Sequence, residues 1–262
     1  MSIARQLAKY AAKGFTRERA QINVLMEAAA FAIFRDFPDA FLLFGGAMLV
    51  LYHDSVRHSA DLDLLSRGSE MPSREEIVAS LERDLMPLGQ PLAMGPFQFE
   101  IDKSTTEEGR IYVTTTGKER LFRVDLSNLG SAIESEIESH PISEEGGRSA
   151  VVKSPTKELL LLQKAEAFLL RRNVKARDAY DVRLLKALGA VLSPNLRAHM
   201  EDTILANEID SESILDRIDA IHTKRCRLEL KPILPPEVYS GLEEVEFEPL
   251  RSALKELYEQ WL

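Results

Sequence analysis

A chain of 262 residues, 45% hydrophobic and 29% charged, has apolar material for one large domain or two modest ones and the composition of an ordinary globular protein. Its net charge of −9 and pI near 5.2 exclude a wholesale nucleic-acid coat but leave room for a local basic groove. The single cysteine, Cys226, excludes an internal disulfide and argues against a zinc cluster, and no apolar run reaches the roughly 20 residues of a membrane span. The first residues, MSIARQLAKYAAKG, lack the apolar core of about 7–15 residues that a signal peptide carries, so the expected location is the cytoplasm, with no membrane partner.

Residues 2–36 read as helix, with Gly14 dividing a short first segment from a second in which Ile22, Leu25, Met26, Ala29 and Ile33 recur at helical spacing. Thr16 gives a partial cap signal, and Asp36–Asp39, with Pro38, ends the helix. Phe41–Phe44 is a short apolar run closed by Gly45-Gly46, the pattern of a buried strand feeding a tight turn. The apolar Ala47–Tyr52 then opens a helix. A Gly-Gly turn before a helix leaves backbone N–H groups uncovered, where phosphate oxygens can approach closely. After the polar patch 53–59 comes Asp61-Leu62-Asp63-Leu64-Leu65. On a strand, Asp61 and Asp63 share one face about 6.6 Å apart, and Leu62 and Leu64 share the other. Two such carboxylates repel unless a cation joins them, and Mg²⁺ favours one or two carboxylates together with substrate phosphates.

Ser73 with Glu76 forms a capping box for a helix running to about Met86, broken by Pro87, Gly89 and Pro91. A β-rich segment follows: Phe97–Ile101, then Arg110–Thr116 and Arg120–Leu126 flanking Gly117-Lys118 as a hairpin. Phe122, Val124 and Leu126 face one way, Arg123 and Asp125 the other, so Asp125 is placed either to pair with Arg123 or to serve a site on that face. The stretch 131–147 is polar, and Val151-Val152 reads as a last edge strand. A boundary falls near Lys153, since from Ser154 on the chain reads as nearly all helix: Ser154-Pro155-Thr156 caps one to about Arg171, followed by helices at about 175–188, 194–206, 211–225 and 242–260.

Lys164 lies on the first of these helices among Leu160, Leu161, Ala167 and Phe168, so it either snorkels to solvent or meets a buried anion. Asp178 and Asp181, three residues apart, share a face of the next helix, and Arg177 stands four before Asp181, close enough to pair. Taken alone, these residues describe a solvated face or a structural ion pair.

The string Gly45-Gly46, Leu49, Arg57-x-Ser59-x-Asp61-x-Asp63 resembles the signature of the polymerase-β-like nucleotidyltransferases, and in particular the AbiEii-type toxins of bacterial toxin–antitoxin systems. Lys164 followed by Arg177-Asp178-x-x-Asp181 is similar to that family's second motif, so the resemblance spans about 41–185. It implies an α+β fold with a mixed or antiparallel sheet flanked by helices. Residues 1–152 would form the nucleotidyltransferase core and 153–262 a helical region completing the active site. The family places a third carboxylate on a strand beside the Asp-x-Asp strand, and Asp125 is the match. Asp61, Asp63 and Asp125 would hold two Mg²⁺ ions, with Mn²⁺ as a substitute. Gly45 and Gly46 would bind phosphate, with Arg57 assisting or holding the strand and Ser59 orienting the loop. Lys164 would neutralise the triphosphate, Asp178 would act as a base or order the acceptor, and Arg177 and Asp181 would support them. The implied donor is an NTP (ATP, GTP or CTP). The implied acceptor is RNA, tRNA especially, or a protein, and an antitoxin would be a separate partner. The basic run Arg171, Arg172, Lys175 and Arg177 suits phosphate contacts or simply the end of a helix.

Two departures stand out: Gly-Gly replaces Gly-Ser, so no serine hydroxyl is present in the turn, and the fourteen residues Ala47–Ala60 separate it from Asp61. A haloacid-dehalogenase-type phosphatase and an Asp-x-Asp glycosyltransferase both call for an apolar strand before the motif, where His58-Ser59-Ala60 stands instead. The non-enzymatic alternative is a degenerate nucleotidyltransferase fold kept as a partner-binding subunit.

Overall fold

The computed structural model describes residues 2–67, 71–102, 109–128, 136–143 and 147–262. It divides into two compact units, Met1–Pro155 and Thr156–Leu262.

The first unit is built on a long buried helix. Helix α1, Ile3–Ala12, precedes α2, Arg17–Asp36, whose N-cap Thr16 accepts from the Arg19 N–H. From Ala20 to Phe34 nearly every side chain of α2 is buried, because helices α1 and α4 and strand β7 pack around it. Strand β1, Phe41–Phe44, runs into α3, Gly45–Tyr52, and then β2, Asp61–Ser66. Helix α4, Arg74–Leu85, starts at Ser73 with the full capping box: the Ser73 side chain accepts from Glu76 N–H, and the Glu76 carboxylate accepts from Ser73 N–H. Strands β3 (Phe97–Ile101), β4 (Gly109–Thr115) and β5 (Arg120–Asn128) follow.

These strands form one mixed sheet in the order β1-β2-β5-β4-β3. Every neighbouring pair is antiparallel except β2 and β5, which are parallel. Leu62, Leu64, Ile111, Val113, Phe122, Val124 and Leu126 are buried, and the half-exposed residues between them make up the opposite face. The segment read as polar contains a strand, β6 (Ile137–Ser143), which pairs with β7 (Ser149–Pro155) in a separate two-stranded sheet. Its sequence, IESHPIS, carries no clean alternation, so backbone pairing with β7 rather than a buried face defines it.

The second unit is helical among its described residues: α5 (Lys157–Leu170), α6 (Ala176–Ala187), α7 (Pro194–Ala206), α8 (Ser211–Asp219), α9 (Thr223–Glu229), α10 (Pro236–Glu244) and α11 (Glu248–Tyr258). The single helices expected at 211–225 and 242–260 are each broken. The first stops at Ala220, and His222 caps α9 through its ring Nδ1; the second breaks where Phe247 takes a left-handed φ of 59°. Helices α5, α6 and α11 form the centre, where Phe168 and Tyr258 stack at 6.2 Å and the Tyr258 hydroxyl donates to the Ala165 carbonyl at 2.8 Å. Among the described residues no helix is long and apolar enough to cross a membrane.

Candidate functional site

The parallel pairing of β2 with β5 sets the geometry of the first unit's site. Asp61 stands opposite Arg123, and Asp63 opposite Asp125. Directly opposed residues on paired strands share a face, with backbones about 4.8 Å apart. Asp61, Asp63, Asp125 and Arg123 therefore crowd one patch, all on the half-exposed face. Arg110 joins them from β4, where it stands opposite Asp125 on the other side.

Strand β1 brings the glycines to the same patch. Phe44 pairs with Asp63, so α3 begins beside the carboxylate. Gly45 holds a φ of +74°, and a Cβ there would lie 1.9 Å from Asp63 Oδ2. A Cβ on Gly46 would lie 2.6 Å from both Arg57 Nη2 and Ser59 Oγ. Both glycines are thus imposed by close approach, and the expected turn is the first turn of α3 itself. The N-cap residue of α3, Phe44, makes no side-chain cap, and the first N–H groups of the helix lie where Asp63, Arg57 and Ser59 converge. Gly45→Ala is expected to destabilise the protein by about 1–2 kcal/mol from the left-handed backbone alone. It should also displace Asp63. A lowered denaturation midpoint checks the first effect, and loss of the nucleotidyl transfer that the sequence motifs imply, in protein still folded at the assay temperature, checks the second.

Arg57 and Ser59 are buried, at 4% and 7% exposure. The Arg57 N–H donates to Ser55 Oγ at 3.2 Å, and its Nη1 donates to the His58 carbonyl at 3.3 Å, so the loop wraps around its own guanidinium. Burial, reinforced by the nearby Arg19 and Arg57 charges, pushes the His58 pKa down to about 4. His58 is therefore neutral at neutral pH and adds no charge to the patch. His53 lies 3.5 Å from Glu138, and His140, stacked on Tyr52, reaches Ser154 Oγ at 2.9 Å. Both histidines belong to the packing of β6 and β7.

The carboxylates are held by arginines. Arg110 Nε donates to Asp125 Oδ1 at 2.7 Å and Arg123 Nε to Asp125 Oδ2 at 2.8 Å, while Arg123 Nη2 lies 3.1 Å from Asp61 Oδ2. Among the described residues no three His, Cys, Asp or Glu side chains are grouped to hold a metal ion. In kind, the donors fit one: Asp61, Asp63 and Asp125 offer only hard carboxylate oxygens, and two guanidinium cations already stand against them. Sequence reasoning raised the Arg123 pair but missed Arg110. Its signal was the hairpin register, which sets it across from Asp125.

The second motif lies in the second unit. Lys164 is buried, with Nζ 2.9 Å from Asp181 Oδ2, so it meets a buried anion and does not snorkel. Arg177 is exposed, and the pairing with Asp181 raised above is made by Lys164 instead. Asp178 is fully buried. Arg171 Nη1 lies 2.9 Å from its Oδ2, at an angle short of a hydrogen bond, and neither oxygen has a hydrogen-bond donor among the described residues. Burial raises the Asp178 pKa above the ordinary carboxylate range, against the lowering pull of Lys164 and Arg171. The Arg171 cation offsets part of the cost of burying this carboxylate.

Comparison with known proteins gives one family. The model described as "Nucleotidyl transferase AbiEii toxin, Type IV TA system" matches residues 29–256. No curated protein matches the chain. Among solved structures, a candidate nucleotidyltransferase from H. pylori is similar at 18% identity and a TM-score of 0.56, covering 94% of this chain and 99% of its own. JHP933 from Helicobacter pylori, also 18% identical, has a TM-score of 0.52 and covers 94% of this chain and 96% of its own. At that identity the likeness shows the fold.

Proposed function

The chain belongs to the AbiEii nucleotidyl transferase toxin family, and on that premise we propose that it transfers a nucleoside monophosphate from an NTP to an acceptor hydroxyl in a reaction dependent on a divalent cation. One observation carries the reading: Asp61 and Asp63 on β2 and Asp125 on β5 share one face of the sheet beside the N-terminus of α3. Asp61, Asp63 and Asp125 would hold two Mg²⁺ ions, whose charge offsets the triphosphate and makes the acceptor hydroxyl a better nucleophile. The first N–H groups of α3 would take a phosphate oxygen, with the buried Arg57 guanidinium adding charge beside Gly46. Ser59, against the same glycine, fixes the loop that carries Arg57.

For Lys164 and Asp178 the family pattern supports charge neutralisation and acceptor handling. Within their own unit, Lys164 has an ion-pair partner and Asp178 has unmet hydrogen-bonding capacity. Arg177 and Asp181 act as support. RNA, tRNA in particular, or a protein side chain is the acceptor, and a separately encoded antitoxin is the partner that family membership implies.

The test incubates the protein with each α-³²P-labelled NTP, Mg²⁺ and total cellular RNA. Label in RNA or protein, lost on omitting the cation, is the expected outcome and identifies both donor and acceptor class. Growth arrest on induced expression, relieved by Asp61→Ala, tests the toxin half. The capture of both Asp125 oxygens by arginines favours a second reading, a degenerate partner-binding subunit, and absence of both transfer and Mg²⁺-dependent NTP binding would establish that reading instead.

A further inference from the structure

We propose that Arg110 and Arg123 are triphosphate-binding residues, which neutralise Asp125 only until a divalent cation takes its carboxylate. The inference rests on the nucleotidyltransferase reading and extends it to two residues that the sequence motifs do not include.

The two guanidiniums occupy the two oxygens of one carboxylate, from two different strands. Each Asp125 oxygen already accepts from one guanidinium, so a cation shared by Asp61, Asp63 and Asp125 meets two positive charges held against the same carboxylate. The arginines and the cation therefore compete for one carboxylate charge, and repulsion between them favours turning the arginines away when the cation binds. Their side chains have room to turn, being 38% and 31% exposed. Once released, they remain anchored on the sheet face next to the carboxylates, which is where the phosphates of a metal-bound nucleotide must lie. A guanidinium presents a planar fork of donors that matches phosphate oxygens as well as it matches a carboxylate. Local charge supports the same assignment. In a chain of net charge −9, these cations adjoin Arg120, which stacks over the Tyr112 ring at 4.0 Å on the same two-stranded hairpin. A purely structural ion pair would hold Asp125 in place and aid cation binding. A pair that yields to the cation must oppose it.

The two roles differ in sign, and binding alone distinguishes them. Free Mn²⁺ is titrated by electron paramagnetic resonance without nucleotide, and affinity for a non-hydrolysable NTP analogue is measured at saturating Mn²⁺. Arg123→Gln is expected to tighten Mn²⁺ binding without nucleotide and to weaken analogue binding, each by about tenfold, the scale of one charge-assisted hydrogen bond. Arg110→Gln, on the neighbouring strand, should behave alike and is read in its place if Arg123→Gln does not fold. Unchanged or weaker Mn²⁺ binding in the arginine variant, or unchanged analogue affinity, overturns the proposal. The underlying reading is checked separately: it stands if wild type binds Mn²⁺ and Asp63→Ala does not, and it falls with the proposal if wild type binds neither ligand.

Discussion

Replacing Asp63 with Ala is expected to lower kcat/KM for nucleotidyl transfer by on the order of 10³-fold or more, about 4 kcal/mol of barrier, in a protein that keeps its fold. Asp63 occupies the centre of the carboxylate patch: it pairs with Phe44 across β1 and with Asp125 across β5, and its Oδ2 lies where a Gly45 side chain would be. Among the described residues it alone pairs both with Phe44, which leads into α3, and with Asp125. Its backbone pairing does not depend on the carboxylate, and the buried side of β2 is carried by Leu62 and Leu64, so the sheet survives the truncation. Asp63→Asn keeps the shape and loses only the charge; it should lose nearly as much activity. The labelling assay checks both variants, with circular dichroism as the control for folding. Transfer within tenfold of wild type in either variant would remove Asp63 from the catalytic machinery.

Much of this patch was legible in the sequence because its parts are local. A short apolar run stopped by two glycines, and an alternating Asp-Leu-Asp-Leu, are patterns in which period and burial agree, and both became the expected strands. The Ser73 box needed only four residues to be recognised. Neighbour relations were harder. That β2 pairs parallel with β5, setting Asp63 beside Asp125, depends on a connection through α4, β3 and β4 that no local period encodes. Arg110 was passed over because an arginine on a hairpin strand looks like any solvent-facing cation until the register puts Asp125 across from it. Strand β6 was missed because a strand held chiefly by one backbone partner need not alternate. The helix break at Ala220 was missed because no proline or glycine stands there, whereas the break at Phe247 did carry a signal that was passed over, Pro249 in the first turn of α11.

The second large effect separates structure from chemistry in the helical unit. Lys164→Ala is expected to destabilise that unit by about 3–5 kcal/mol, because it removes the cation 2.9 Å from the fully buried Asp181 carboxylate. The paired replacement Lys164→Met with Asp181→Leu removes both charges at similar volume and should restore most of the loss, since a desolvated ion pair contributes little beyond what well-packed apolar groups provide. The single tryptophan, Trp261, lies 6.4 Å from the Tyr258 ring, which stacks on Phe168 of α5, so its fluorescence in urea reports the unfolding of this unit. A single mutant as stable as wild type would show that the pair is not the buried one described. The double mutant then decides the role of the lysine. If it is stable and still transfers nucleotide, the ion pair is architecture and the family's helical lysine acts here as a packing device. If it is stable and inactive, the charge of Lys164 is required by the reaction itself, and its ion pair with Asp181 is how a buried lysine is aimed.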